Sequence, residues 1–254
     1  MTATDTTAPV PATPRGGTLT VRLWRGDASG GDYQTYSVPR RDNQTVLDVV
    51  TEVQRRQAPD LAYRFACRVG VCGSCAMMVN DTPRWTCRTH VSKVAEGGTI
   101  TVAPLRNLPV IRDLATDMTD FFDKWQKAGG RFQGSATRDE PMAQVDPSSK
   151  ARRMADAGIE CINCGVCYSA CDVVAWDKDY LGPAALNRAW TLLNDVRHAD
   201  QKGTLDKAMA QGGCGSCHTQ GNCMRACPVG ISPTRAIAGI KRMSLLDFIG
   251  MRGR

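Results

Sequence analysis

Residues 161 to 171 read Cys161-Ile-Asn-Cys164-Gly-Val-Cys167-Tyr-Ser-Ala-Cys171, a C-x2-C-x2-C-x3-C run. Three thiolates at this spacing lie on one tight turn and can hold three corners of an iron–sulfur cube. The fourth points away, to a second cluster. Such a run demands a partner elsewhere in the chain. Residues 217 to 228 supply it: Cys217-His-Thr-Gln220-Gly-Asn-Cys223-Met-Arg-Ala-Cys227-Pro228 repeats the frame, with Gln220 where the second Cys would stand.

Reciprocal wiring follows. One cluster, [4Fe-4S], is expected on Cys161, Cys164, Cys167 and Cys227. The other is expected on Cys171, Cys217 and Cys223, with Gln220 facing the remaining corner. An amide is a poor ligand beside soft thiolates, so the simplest occupant is [3Fe-4S]. Cys214, in Cys214-Gly-Ser-Cys217, is a further thiol that a local loop shift would bring to that corner. Zinc is the alternative metal for C-x2-C pairs. A tetrahedral zinc site needs two pairs, however, and has no use for the outward fourth Cys of interlocked runs.

A third cysteine motif precedes these two. Cys67-Arg-Val-Gly-Val-Cys72-Gly-Ser-Cys75, followed by Cys87, is C-x4-C-x2-C with a distant fourth Cys. That is the plant-type spacing for [2Fe-2S]. Gly70 and Gly73 are expected where backbone passes close to the sulfurs and its amides can hydrogen-bond them. Arg64, Arg68, Arg84 and Arg88 flank these cysteines, either to balance cluster charge and form a rim for a partner, or as ordinary solvated arginines.

Twelve cysteines in 254 residues are too few for a disulfide scaffold, and eleven have cluster assignments. This points to a reducing compartment. The formal charge is +7 with the cysteines counted as neutral. Three clusters with their thiolates at roughly −2 each bring the total to about +1, so the basic excess is largely counter-charge. No nucleic-acid module is present. No apolar run approaches the ~18 residues of a membrane-spanning helix. Residues 1 to 17 are rich in Thr, Ala and Pro, resemble neither a secretory signal nor a transit peptide, and read as a disordered tail.

The rest of the chain divides in two. Over 18 to 113, Leu19, Val21 and Leu23 alternate with polar residues, as in a half-buried strand. A turn over Gly26 to Gly31 and a strand over Tyr33 to Val38 follow. Thr45 and Asp48 form a capping box for a helix carrying Val46, Val49, Val50 and Val53. A hairpin at Ala76 to Val79 turns at Asn80-Asp81, and Thr99 to Val102 is a last strand. Over 114 to 254 the pattern is helical. Leu114, Met118, Phe121, Phe122 and Trp125 predict a helix joining the halves, and Asp146-Pro147 predict an N-cap and first helical residue. Gly182-Pro183 and Ser232-Pro233 open two further helices. Residues 129 to 140 and 199 to 216 read as loops. The expected fold is α+β: an N-terminal β-grasp plant-type ferredoxin domain, then an all-helical bacterial-ferredoxin-like domain with clusters in place of much of its core. No nucleophile–base set, phosphate loop or paired carboxylates occur, so the chain reads as a wire rather than a catalyst by itself.

In these motifs the chain resembles the iron–sulfur subunit of succinate dehydrogenase and fumarate reductase. The resemblance is carried by the run 67–75, Arg112-Asp-Leu114, the run 161–171, Gly182-Pro-Ala-Ala-Leu186, and Cys217 through Cys227-Pro-Val-Gly-Ile-Ser-Pro-Thr-Arg-Ala-Ile237. It implies a flavoprotein partner with covalent FAD that interconverts succinate and fumarate, and electrons passing along three clusters. It also implies a quinone held between this chain and a membrane anchor, beside the trinuclear cluster. By the same resemblance His218 and Trp176 match quinone-site residues. His218 as a donor to the cluster and Trp176 as packing against the anchor are the plainer readings. The implied location is the cytoplasmic face of a bacterial inner membrane. Asp172 stands where many relatives have Pro, Ala175 where a second Trp is often found, and Gln220 where the corner residue is usually small or apolar. These departures, with the additional Cys214, point to a divergent branch with an altered quinone site or a fumarate-reducing direction.

Overall fold

A computed structural model describes residues 17–251. The expected tail, apart from Gly17, lies outside the described residues. The N-terminal half is built on a mixed sheet of seven strands. Strand β1 (Thr18–Asp27) is its centre, paired antiparallel with β2 (Gly30–Pro39) and parallel with β5 (Thr99–Ala103). β5 pairs with β3 (Ala76–Val79), which forms a hairpin with β4 (Thr82–Trp85). Two short strands, β6 (Val110–Arg112) and β7 (Ala115–Thr116), close the other side. Leu19, Val21 and Leu23 are fully buried, as their alternation requires. They pack beneath helix α1 (Val46–Arg56), whose Val46, Val49, Val50 and Val53 all face inward. The capping box forms: Thr45 Oγ1 accepts from Asp48 N at 3.2 Å, and Asp48 Oδ2 accepts from Thr45 N at 3.0 Å.

The first hairpin is tighter than its sequence suggests. Gly26 and Gly31 pair across the ladder, leaving only residues 28 and 29 as the turn. Asp27 closes that turn by accepting from Ser29 N and Ser29 Oγ at 2.8 and 2.6 Å. Asp113 anchors the other end of the sheet. Its buried carboxylate accepts from Arg25 Nε at 3.0 Å, Gly26 N at 3.1 Å and Ala62 N at 2.9 Å. That network gives the Arg112-Asp-Leu114 stretch its structural role.

Beyond Thr116 the described residues form helices and turns, apart from one isolated bridge between Gly134 and His198. The long helices are α3 (Thr119–Lys127), α4 (Lys150–Ile159), α7 (Pro183–Leu193), α8 (Gln201–Met209) and α10 (Pro233–Phe248). The short ones, α2 (Val91–Val94) in the first half, α5 (Val166–Ser169), α6 (Asp172–Trp176) and α9 (Asn222–Ala226), are single turns beside cysteines or loops. Ser232 caps α10 by accepting from Arg235 N, with Pro233 in its first turn.

Three expectations are corrected. The joining helix starts at Thr119, not Leu114; Leu114 sits between β6 and β7 and is buried in the sheet's core. Helix α4 is capped by Ser149, because Asp146 is engaged by Ser148 N and Oγ at 2.8 and 2.7 Å. Residues 201–209 are helical rather than loop. Asp200 Oδ1 accepts from Gly203 N at 3.0 Å, and a Cβ at Gly203 would fall 2.3 Å from that oxygen. The glycine that reads as a loop signal is the residue that lets the cap close.

β3 joins the two cores. Its four residues are all buried. Met77 and Val79 face the core of the first half, while Ala76 and Met78 face the helical core that includes Val166, Tyr168, Leu186 and Ile237.

Candidate metal centres

The loop carrying Cys67, Cys72 and Cys75 is irregular and turns through positive φ at Arg68 (59°), Gly70 (80°) and Gly73 (71°). This winding aims backbone amides at sulfur. Cys67 Sγ accepts from Val71 N and Cys72 N, each at 3.3 Å, and from Val69 N at 3.5 Å. Those donors bring the Cys67 thiol down to about 6. Cys72 Sγ takes Cys67 N at 3.5 Å and lies 3.1 Å from Ser74 Oγ, and its thiol is also lowered. Cys75 and Cys87 are buried against Leu47. Burial, then the neighbouring Cys75, pushes the Cys87 thiol up to about 12. The site is therefore two-sided: Cys67 and Cys72 take backbone N–H donors near the surface, whereas Cys75 and Cys87 are buried. Iron bound by these four sulfurs would supply the positive charge that favours their thiolate forms.

Gly73 has a different reason from the one its sequence suggests. A Cβ there would lie 2.7 Å from Cys164 Cβ and 3.0 Å from Ile162 O. The loop of the first motif thus rests directly on the first cysteine run of the second half.

The two later runs share one local geometry. Asn163 and Thr219, at matching positions, have φ of 52° and 61°. Gly165 and Gly221, two residues on, have φ of 75° and 79° and cap α5 and α9. Gln220 occupies the place that Cys164 holds in the first run. Cys161, Cys164, Cys167 and Cys227 line one cavity with Pro228 and Ile231. Cys171, Cys217 and Cys223 line another, with Tyr180, His218, Gln220 and Thr234. Burial, above all, raises the thiols of Cys161, Cys164 (to about 12), Cys167, Cys171 and Cys223. Among the described residues no three His, Cys, Asp or Glu side chains converge to hold a single ion. The thiols ring cavities instead, an arrangement suited to a multi-atom cluster.

Asn107, which sequence reasoning misses, and Asp172, which it marks only as a departure from Pro, hold these runs in place. Asn107 Nδ2 reaches the carbonyls of Tyr168, Ser169 and Cys171 at 3.1, 3.3 and 3.1 Å, satisfying the end of the first run from the other half of the chain. Asp172 accepts from Asn222 Nδ2 at 2.9 Å, so the residue that replaces Pro ties the two runs together. The φ of 67° at Asn107 fits an Asn-Leu-Pro turn, which was the available signal.

Cys214 is fully buried in a single 3-10 turn, and neither cysteine cavity is lined by it. Burial holds its thiol up at about 12. Cys214→Ser should leave every cluster assembled, with iron and acid-labile sulfide contents equal to wild type. Loss of one cluster would make Cys214 a ligand. His218 and Trp176 lie edge to face, ring centroids 6.1 Å apart, and Trp176 is 60 % exposed. Of the four arginines, Arg64 Nη1 donates to Thr116 O at 2.7 Å, and Arg68 stacks over Phe65 at 4.6 Å. Arg84 and Arg88 are exposed.

Residues 18–123 match a 2Fe-2S iron–sulfur cluster binding domain, and residues 160–232 match a 4Fe-4S dicluster domain. The fumarate reductase iron–sulfur subunit of Escherichia coli is 35 % identical over 215 residues, covering 84 % of this chain and 86 % of that one. The mitochondrial succinate dehydrogenase [ubiquinone] iron–sulfur subunit 1 of Oryza sativa is 34 % identical, covering 79 % of this chain and 71 % of that one. A solved chain of the Mycobacterium smegmatis Sdh1 complex superposes with a TM-score of 0.80 at 30 % identity. The match covers 91 % of this chain and 96 % of that one.

Proposed function

We infer the details below from one premise: the chain belongs to the family of iron–sulfur subunits of succinate dehydrogenase and fumarate reductase, and is an electron-transfer subunit of such an oxidoreductase. Cys67, Cys72, Cys75 and Cys87 hold [2Fe-2S]; Cys161, Cys164, Cys167 and Cys227 hold [4Fe-4S]; Cys171, Cys217 and Cys223 hold [3Fe-4S]. Bound clusters supply one-electron transfer. The protein's own part is to fix their order, separation and surroundings. The first site lies in a β-grasp domain over residues 18–113, and the other two in a helical domain over 114–254.

The carrying observation is the interlock of the two runs. Cys227, from the second run, shares a cavity with Cys161, Cys164 and Cys167, and Cys171 shares one with Cys217 and Cys223. Gly73 against Cys164 brings the first site up to the second. The chain thereby orders its sites from the surface loop at Cys67 to the His218 region.

Each end has a partner-facing surface. Around the first site, Val69 and Val71 are 61 % and 66 % exposed beside Arg68, an apolar rim with positive charge that suits a flavoprotein subunit carrying FAD. At the other end, exposed Trp176 beside His218 suits a quinone and a membrane anchor. No helix among the described residues is long and apolar enough to cross a membrane. In this reading the subunit sits at the cytoplasmic face of a bacterial inner membrane, held there by its anchor. Electron paramagnetic resonance of the purified complex tests the assignment. A near-isotropic signal in the oxidised sample, vanishing on reduction, is expected from the three-cysteine site. Its absence, with a second [4Fe-4S] signal on reduction, would mean that Cys214 or Gln220 completes a cube.

A further inference from the structure

The two cavities of the helical half differ in one chemical respect. The lining of the four-cysteine cavity carries no Ser, Thr or Tyr side chain. The three-cysteine cavity is lined by Tyr180 and Thr234. Thr234 Oγ1 lies 3.3 Å from Cys223 Sγ. Tyr180 lines this cavity together with Cys217, and Cys217 is among the groups that, after burial, raise its phenol. The third thiol, Cys171, is served by the backbone amides of Val173 and Val174.

Neither hydroxyl is there by default. Tyr180 is 1 % exposed, where Phe would fill the same volume without needing an acceptor. The other fully buried tyrosine of this half shows the alternative: Tyr168 accepts from Lys124 Nζ and donates to Asp120 Oδ2, each at 2.9 Å. Thr234 stands in the first turn of α10, next to Pro233, where a side-chain oxygen ordinarily turns to free backbone amides. That duty falls to Ser232, which leaves the Thr234 hydroxyl for sulfur. A thiolate has no proton, so a hydroxyl that bonds one must donate.

We propose that Tyr180 and Thr234 are positioning residues of the three-cysteine site, whose hydroxyl hydrogen bonds to Cys217 and Cys223 set the reduction potential of its cluster. The proposal rests on the ligand assignment given under the proposed function. An added electron increases the negative charge shared by iron and thiolate sulfur. A donor on the sulfur stabilises the reduced form more than the oxidised form and raises the potential. At the four-cysteine site the polar side chains are the amides of Asn163, whose Oδ1 accepts from Cys161 Sγ at 3.7 Å, and Asn187, whose Nδ2 donates to Gly158 O, so no hydroxyl serves its sulfurs.

The test is a redox titration of the near-isotropic signal in the purified complex, comparing wild type with Tyr180→Phe, Thr234→Val and Thr234→Ser. Tyr180→Phe and Thr234→Val should keep the signal but titrate at lower potential. At fixed potential the reduced-to-oxidised ratio should fall several-fold, up to about tenfold per lost hydrogen bond. Thr234→Ser, which keeps the donor, should stay near wild type. Should Tyr180→Phe fail to assemble, the Val and Ser pair at Thr234 carries the comparison. Intact signals with unchanged potentials would overturn the proposal and leave the ligand assignment standing. Absence of the signal from the wild-type complex would overturn the assignment itself, and the proposal with it.

Discussion

Cys227→Ser is expected to abolish the [4Fe-4S] signal while the [2Fe-2S] and three-cysteine signals persist. Cys227 closes the second run in sequence, yet it lines the cavity of the first, with Cys161, Cys164 and Cys167. A serine oxygen is a harder donor than thiolate and a poor ligand for a cluster held by soft sulfur. The loss should therefore be of the whole cluster, seen as a fall in iron and sulfide together with the signal. The reverse substitution is its control: Cys171→Ser, in the first run, should remove the signal of the second. Loss of only the three-cysteine signal from Cys227→Ser would show the wiring to be local to each run. Both variants keep the backbone frame of the runs, because the left-handed turns are set by Asn163, Gly165, Thr219 and Gly221 and not by the cysteines that change.

Those two runs also show what a sequence exposes and what it hides. Spacing alone gave the interlock, because a fourth Cys aimed outward is useful only if another run returns it. The strand alternation at Leu19, Val21 and Leu23 and the box at Thr45 were equally plain, being short-range patterns with one physical cause each. Helix α8 was hidden because Gly203 and the polar residues around it carry the composition of a loop. Its stability comes from burying Thr204, Leu205 and Ala208 against distant elements. Asn107 and Thr234 meet residues distant in the chain, through hydrogen bonds whose partners no local pattern names. Gly73 signals close approach of backbone, as its sequence context suggests, but what it approaches is Cys164, a neighbour distant in the chain.

That contact gives the second large effect. Gly73→Ala should destabilise the protein by about 2–4 kcal/mol, about 1 kcal/mol of it from a non-glycine residue in the left-handed region and the rest from overpacking. The added Cβ would stand 2.7 Å from Cys164 Cβ and 2.8 Å from its Cα. Neither atom can swing aside, because Cys164 is held in the turn capped by Gly165 and lines the four-cysteine cavity. Relief therefore requires the loop of the first site to move back from the second, or the Cys164 turn to distort. Either change should broaden the [4Fe-4S] signal and slow electron transfer between the two sites, and thermal unfolding should begin at lower temperature. Gly98→Ala separates backbone strain from contact. Its φ of 77° is similar, but a Cβ there meets nothing within 4 Å. This control should lose only the backbone share, about 1 kcal/mol, with all spectra unchanged. Equal losses in the two variants, with wild-type [4Fe-4S] spectra in both, would mean that the approach of Gly73 to Cys164 has no part in joining the sites. A larger loss confined to Gly73→Ala, with a perturbed [4Fe-4S] signal, would locate the joint between the two sites at a contact where no side chain fits.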